Sequence, residues 1–355
     1  MAAASKMTVA QRITETLRKR YGKDLGEDIV DYLGNEEIKP MPRLKSQCML
    51  LDKIMGGGWP LGRICEVFGG ESTGKTTLCI HALAEAQKMY PDKAVGFIDK
   101  ENSFDPLYAM AIGLDVRQLV ISQPDSGQAA FTILEGMIVE GCKVVVVDSV
   151  AAMVPREEVE GEFGDNKMGV MAKMMSQGMR KINDIVRKYD ALVIFTNQTR
   201  EKIGVVYGNP ETTTGGNALK FYTSIRLRLQ GLGKIETGGE KTGIRVRAEA
   251  VKNKTAPPYR RCEYAIVFGK GIDNEGLYFT EILERNLVEK GNGSFFIING
   301  EKVNGKAKLQ AYLESHPEVY DDLKRQVDDG VSFKDDAPKD APEEEAPAEE
   351  EAGEV

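Results

Sequence analysis

Histidine is nearly missing from this chain: 355 residues hold two, His81 and His316. That excludes histidine-rich metal chemistry and a serine–histidine hydrolase. The cysteines (Cys48, Cys65, Cys79, Cys142 and Cys262) are an odd, scattered set without CxxC spacing. They exclude a disulfide frame and a zinc site, and buried free thiols in a reducing compartment are expected. No apolar run approaches the roughly 18 residues of a membrane-spanning helix, so an integral membrane protein and a membrane partner are excluded. Met1 to Ser5 lack a basic-then-apolar signal pattern, which makes the cytoplasm the expected location.

What is present is ample apolar material, 41% of residues, with 29% charged. That suits one large domain with small attachments. The net charge of −8 is unevenly placed. Asp335 to Val355 carries ten acids and one lysine, a net of −9, which leaves the first 334 residues at +1. A nearly neutral body with an acidic tail is a different object from an acidic protein.

Thr8 and Gln11 have capping-box spacing and open a helix with Val9, Ile13, Leu17 and Tyr21 on one face. That helix is predicted to end near Gly22, with a short second one running to Gly34. Beyond Gly56-Gly57-Gly58 the texture changes. Short runs at Arg63–Phe68, Ala94–Ile98, Lys143–Val147 and Ala191–Phe195 alternate with helix-length segments. Each run is apolar on both parities, as in strands buried on both faces of a parallel sheet. The fold class is α/β with a mostly parallel central sheet. Near the end, Ser294–Ile298 and Glu301–Val303 flank an Asn299-Gly300 hairpin turn and precede two helices, the second starting at Pro317. The expected parts are a small helical segment at 1–36, the core at 37–274, a small α+β domain at 275–329 and an acidic tail at 330–355, too poor in apolar residues to order itself.

Gly69-Gly70-Glu71-Ser72-Thr73-Gly74-Lys75-Thr76 matches the P-loop pattern between a strand and the helical segment from Thr77. Backbone N–H groups of such a loop hold phosphates with help from the helix dipole. Lys75 would reach the β- and γ-phosphates, and Thr76 would bind Mg²⁺. The Val144–Val147 strand ends in Asp148, a second Mg²⁺ contact through water. The Val95–Ile98 strand, expected beside the P-loop strand, ends in Asp99-Lys100-Glu101. Asp99 and Glu101 both remain candidates to polarise the attacking water. Leu192–Phe195 ends in Thr196-Asn197-Gln198, whose amides are placed to report on the γ-phosphate.

Two long segments leave the same sheet edge: Pro155–Gly169, without strand or helix period, and Thr199–Asn217. Segments of this length in a compact domain are usually functional, and phosphate state can be coupled to their order. Between them a helix is predicted over Met168–Tyr189. Met175, Met179, Ile182 and Val186 form its core stripe, with Lys173, Arg180 and Arg187 opposite. With Arg200 and Lys202 nearby, that basic face is a candidate track for a nucleic-acid backbone.

In order along the chain stand the P-loop, Phe97-Ile98-Asp99-Lys100-Glu101, Ser122-Gln123-Pro124-Asp125, Val147-Asp148-Ser149-Val150-Ala151-Ala152, Met174-Met175-Ser176-Gln177, and the run Gly208-Asn209-Pro210-Glu211-Thr212-Thr213-Thr214-Gly215-Gly216-Asn217-Ala218-Leu219-Lys220-Phe221. On these the chain resembles the RecA family of bacterial recombinases from about Leu51 to Val327. The resemblance implies a RecA-type P-loop NTPase core using ATP and Mg²⁺, with an N-terminal oligomerisation segment. It implies a helical filament of self-associated subunits on single-stranded DNA that pairs it with homologous double-stranded DNA in recombination, repair and the response to DNA damage. An SOS-type role with a LexA-like repressor is the further partner it suggests.

By position, the resemblance makes Glu101 the catalytic glutamate and Gln198 the γ-phosphate switch. Thr77, Asp105 and Tyr108 join the nucleotide contacts, Tyr108 by stacking on adenine. Lys252 and Lys254, two apart on a strand, match lysines that reach the neighbouring subunit's ATP. Met168, Lys173, Arg180, Arg200, Lys202, Gly215, Gly216 and Asn217 fall at DNA contacts, Ile203 at an apolar wedge between bases, and Phe221 at an intersubunit contact. Lys173 stands where the family usually has arginine, Glu201 puts an acid in the second DNA loop, and Gly70 replaces a common proline. Two rivals share the ATP core: a hexameric helicase and a non-enzymatic ATP-switched scaffold. A small-molecule kinase lacks any resemblance to an acceptor pocket or lid.

Overall fold

Strands apolar on both parities must be covered on both faces, and helices do this here. The computed structural model describes residues 7–25, 40–161, 169–201 and 211–329. The chain divides into two units, residues 1–42 and 43–355. In the first, Thr8 N–H donates to Gln11 Oε1 at 2.8 Å and Gln11 N–H to Thr8 Oγ1 at 3.2 Å, the predicted reciprocal cap. It opens helix α1, Val9–Leu25. The helix runs through Gly22, where an end is predicted. An internal glycine costs about 1 kcal/mol against alanine, too little to stop a helix whose neighbours favour it. The predicted second helix to Gly34 and the acidic tail lie outside the described residues.

The second unit begins with β1 (Arg43–Leu44), α2 (Met49–Met55) and β2 (Trp59–Pro60), with β1 and β2 paired antiparallel. None of these three is evident in the sequence pattern. Then come β3 (Arg63–Gly69), α3 (Lys75–Met89), β4 (Val95–Asp99), α4 (Pro106–Ile112), β5 (Leu119–Ser122), α5 (Gly127–Val139) and β6 (Val144–Asp148). They are followed by α6 (Arg156–Val159), α7 (Val170–Lys188), β7 (Leu192–Glu201), β8 (Glu211–Thr213) and α8 (Gly216–Tyr222). β9 (Ile225–Thr237), β10 (Glu240–Asn253), β11 (Arg261–Val267) and β12 (Gly271–Ile272) complete the core.

The sheet order is β12-β11-β10-β9-β3-β7-β6-β4-β5. From β9 to β5 all neighbours are parallel, and β10, β11 and β12 add an antiparallel extension. The sheet is mostly parallel, as the buried runs imply. The extension is not legible in those runs because its strands alternate buried with part-exposed residues. One expectation is corrected: β4 is not beside the P-loop strand, since β7 and β6 lie between them. Strand parity sorts the core into two layers. Cys65, Val67, Leu192 and Ile194 pack with the α3 residues Leu78 and Leu83; Ile64, Val193 and Phe195 pack with Met175 and Met179 of α7.

The two long segments also differ from expectation. Pro155–Gly169 contains the one-turn helix α6. β7 continues to Glu201 and pairs antiparallel with β8, Thr199 opposite Thr213 and Glu201 opposite Glu211. Residues 199–201 are therefore paired strand rather than the start of an irregular loop, because a threonine-rich return strand satisfies the backbone of the outgoing one.

A small C-terminal part follows: α9 (Asn274–Glu284), β13 (Glu289–Lys290), β14 (Phe295–Ile298), β15 (Glu301–Asn304), α10 (Lys306–Ser315) and α11 (Pro317–Asp329). Asn299 and Gly300, both left-handed at φ 51° and 81°, make the two-residue turn between β14 and β15. Phe279, Ile282, Leu309, Leu313, Leu323 and Val327 form its core.

Candidate nucleotide site and nucleic-acid interface

The P-loop leaves β3 at Gly69 and enters α3 at Lys75. Gly74, the N-cap, is left-handed at φ 84°, and a Cβ there would sit 2.2 Å from Ile266 Cδ1, so only glycine lets the loop close down on β11. Thr73 Oγ1 donates to Gly70 O at 3.0 Å, while Glu71 and Ser72 are exposed on the outside of the loop. The Lys75 ammonium lies along the loop, donating to the carbonyls of Gly70 at 2.7 Å and Gly69 at 3.3 Å. Burial lowers its pKa, opposed by the charges of Asp148, Glu101 and Glu71.

β6 brings Asp148 to the start of α3. Thr76 Oγ1 donates to Asp148 Oδ2 at 2.6 Å, and Thr196 donates to its other oxygen. Burial raises the Asp148 pKa against those two hydrogen bonds. A hydroxyl beside a carboxylate is a hard-oxygen pair, and no cluster of three or more His, Cys, Asp or Glu suited to a metal occurs among the described residues. Such a sparse set fits Mg²⁺, which keeps several waters and takes few protein ligands.

Glu101 is held beyond the end of β4, where the Lys100 N–H reaches Asp148 O at 2.6 Å. Its Oε1 accepts from Gln198 Nε2 at 3.2 Å and from the Ser149 hydroxyl. Asp99 is different. It is buried, and accepts from the N–H groups of Ser103 and Phe104, both at 3.2 Å, and from Gln123 Nε2 at 3.3 Å. It anchors the turn after β4, whereas Glu101 faces the cleft beside Gln198. Tyr108 meets the first turn of α3, its hydroxyl 3.1 Å from Thr77 Oγ1. Asp105 caps α4, accepting from Leu107 N at 2.9 Å and Tyr108 N at 3.2 Å, and so orients Tyr108.

Lys252 and Lys254 are not part of this cleft within one subunit. Lys254 Nζ donates to Phe221 O at 3.0 Å, and Lys252 Nζ to the carbonyls of Lys220 and Phe221, at the end of α8. Burial, then the neighbouring Lys254 and Arg226 charges, lowers Lys252 to about 8. Phe221 projects from the same helix end, 71% exposed.

On α7 the predicted stripe of Met175, Met179, Ile182 and Val186 is buried, and Lys173, Arg180 and Arg187 are exposed. α8 packs against α7. Gly215 is its left-handed N-cap, and Gly216 and Asn217 are exposed in its first turn. Arg200 lies on β7 at the base of the ribbon, with only its backbone described; Met168, Lys202 and Ile203 lie outside the described residues. Sequence reasoning missed Ser149 and Thr196, which hold Glu101 and Asp148, and the buried Glu66 and Arg226. The available signal was polarity: Glu66 interrupts an apolar run that is otherwise buried on both faces.

With a phosphate-holding loop, a hard-oxygen pair and a carboxylate–amide pair at one edge of a parallel sheet, the molecule falls among the P-loop nucleotide-binding proteins. Residues 11–273 match the RecA N-terminal domain. Protein RecA of Trichodesmium erythraeum is 42% identical over 334 residues, covering 94% of this chain and 92% of that protein. Protein RecA of Bdellovibrio bacteriovorus is 42% identical over 330 residues, 92% and 86% respectively, and Protein RecA of Staphylococcus carnosus 42% over 316 residues, 88% of each. The chain belongs to the RecA family, and with it to the DNA-dependent ATPases that act as recombinases in recombination and repair. Among the described residues no helix is long and apolar enough to cross a membrane.

Proposed function

We propose that the cleft between the P-loop, Asp148 and Glu101 hydrolyses ATP, and that the segments leaving it bind DNA in step with phosphate state. The observation that carries this reading is the bond between Gln198 and Glu101: the acid beyond the end of β4 touches the strand that becomes the ribbon stem. Gly69 to Thr77 hold the phosphates through loop N–H groups, and Lys75 neutralises charge on them. Tyr108 and Asp105 take the adenine end. Thr76 and Asp148 hold Mg²⁺, which when bound draws charge from the phosphate oxygens. Glu101 accepts a proton from water as the water oxygen bonds to the γ-phosphorus and the bond to the β-phosphate oxygen breaks. Gln198 senses the γ-phosphate.

Lys252 and Lys254 complete the charge at a neighbouring subunit's nucleotide, and Phe221 packs in the same subunit contact. Both lysines leave a helix-end carbonyl cluster to do so. The exposed Lys173 and Arg180 on α7, together with Gly215, Gly216 and Asn217, supply backbone contacts to single-stranded DNA. By the family resemblance, Met168, Arg200, Lys202 and Ile203 are further DNA contacts. The filament works in the cytoplasm, pairs the strand with a homologous duplex, and supports self-cleavage of a LexA-like repressor. We assign residues 1–36 to oligomerisation, 37–274 to the ATPase core with both DNA loops, 275–329 to a small α+β domain and 330–355 to the acidic tail.

The test is ATP turnover with and without single-stranded DNA in wild type and Glu101→Gln. Strong stimulation by DNA, reduced by a factor of about 10² to 10⁴ in the variant at unchanged melting temperature, is expected for loss of a general base. DNA-independent turnover in wild type would overturn the coupling, and full activity in the variant would remove Glu101 from the chemistry.

A further inference from the structure

Successive residues of a strand face opposite sides of the sheet. On β7, Thr196 and Gln198 share the parity of Leu192 and Ile194, which pack in the α3 layer; Asn197 shares that of Val193 and Phe195, which pack in the α7 layer. The two layers therefore meet at adjacent residues. Gln198 serves the nucleotide cleft, while Asn197 points into a buried polar network on the other side.

The centre of that network is Glu66, fully buried in the P-loop strand three residues before Gly69. It forms an ion pair with Arg226, its register partner on β9, and accepts from Asn197 Nδ2 at 3.0 Å. Asn197 Nδ2 also donates to Thr214 O at 2.8 Å, and its Oδ1 accepts the Gln198 N–H at 2.9 Å. Arg226 Nη2 reaches Thr213 Oγ1 at 3.3 Å, and its guanidinium lies 4.6 Å from the centre of the Phe68 ring. Thr213 ends β8, the return strand of the ribbon, and Thr214 follows it. The network thus touches the P-loop strand, the backbone of Gln198 and the foot of the β7–β8 ribbon at once.

A buried ion pair adds little stability over apolar residues of the same size. Its value lies in fixing one arrangement, which a fully satisfied network does well. Here the groups fixed together belong to the nucleotide site and to the ribbon base.

We propose that Glu66, Arg226 and Asn197 are positioning residues that couple the nucleotide site on one face of the sheet to the base of the 202–210 segment on the other. A change at Gln198 is carried through its N–H to Asn197, and from Asn197 to the Thr214 carbonyl and the Glu66–Arg226 pair. Arg226 then resets Thr213, so the ribbon changes its DNA affinity when the phosphate state changes. This rests on the reading of that segment as DNA-binding.

The test measures the affinity of the full chain for a fluorescein-labelled oligothymidylate with a slowly hydrolysed ATP analogue and with ADP. The quantity of interest is the ratio of the two affinities; coupling of this kind typically spans about 5- to 150-fold. The double variant Glu66→Gln/Arg226→Met removes both charges together, so that neither is left buried alone. Thr213→Val removes only the hydroxyl that Arg226 reaches. The expected result is a ratio at least about fivefold closer to one in the double variant, with nucleotide affinity in the absence of DNA unchanged. A merely structural role would lower both DNA affinities together and leave the ratio intact. A wild-type ratio of one overturns the reading that the segment binds DNA in step with phosphate state, and the inference with it. A large wild-type ratio kept by the folded double variant, or by Thr213→Val where the double variant does not fold, overturns the inference alone.

Discussion

Two buried titratable residues near α2 pull stability in opposite directions as pH falls. His81 Nε2 accepts the Ile272 N–H at 2.9 Å, so Nδ1, 2.7 Å from Gln47 Oε1, carries the proton of a neutral ring. Burial lowers its pKa from 6.5 to about 4. A base whose pKa is depressed on folding contributes stability that is complete above 6.5 and lost as pH falls toward 4. Asp52, which accepts the Ser46 N–H at 2.8 Å, is raised by burial from 3.8 to about 6. An acid whose pKa is raised on folding has the reverse effect: stability is gained as pH falls from 6 toward 3.8. The two contributions largely offset each other. Melting curves between pH 4 and 7 are expected to show a steeper loss on acidification for Asp52→Asn than for wild type, and a shallower loss or a gain for His81→Gln. Parallel curves for all three proteins would contradict this.

At the level of elements, the packing of α5 against α7 depends on a missing side chain. Gly178 lies inside α7, and a Cβ built on it would come within 2.5 Å of the Phe131 ring from α5. Alanine there would add about 1 kcal/mol of helix propensity. An overpacked contact against a buried ring costs about 1–3 kcal/mol, so Gly178→Ala is expected to be destabilising overall despite its better propensity. Adding Phe131→Leu should return part of the loss. Urea denaturation of the single and double variants measures both effects, and a stabilised single variant would show that the ring has room to move. The same contact shapes the candidate DNA surface, because α7 carries Lys173 and Arg180 on its exposed side and supports α8.

For the whole molecule, charge distribution matters more than net charge. The last 21 residues hold a net −9 against +1 for the remainder. A segment of that charge repels the phosphate backbone of any duplex approaching the subunit it is tethered to, and the repulsion is screened by salt. Truncation after Lys334 is expected to strengthen binding to double-stranded DNA, most clearly at low salt. Equal duplex affinities for the full and truncated chains at low ionic strength would refute it.

The sequence by itself determined whatever depends on neighbours along the chain. The P-loop spacing, the doubly apolar strands, the Thr8–Gln11 cap, the Asn299-Gly300 turn and the methionine stripe of α7 all follow from local pattern, since each is fixed by a period, a cap or a required backbone conformation. Only the tertiary structure decided what depends on sheet order. The separation of β4 from the P-loop strand, the antiparallel extension beyond β9 and the β-ribbon beneath the 202–210 segment come from pairings distant in sequence. Glu101 was one of two candidate acids by local pattern, chosen by the family resemblance; the structure adds that their surroundings differ, Asp99 lying on the N–H groups of Ser103 and Phe104 and Glu101 beside Gln198 and Ser149. Glu66 and Arg226, 160 positions apart, become a pair only because β3 and β9 lie side by side.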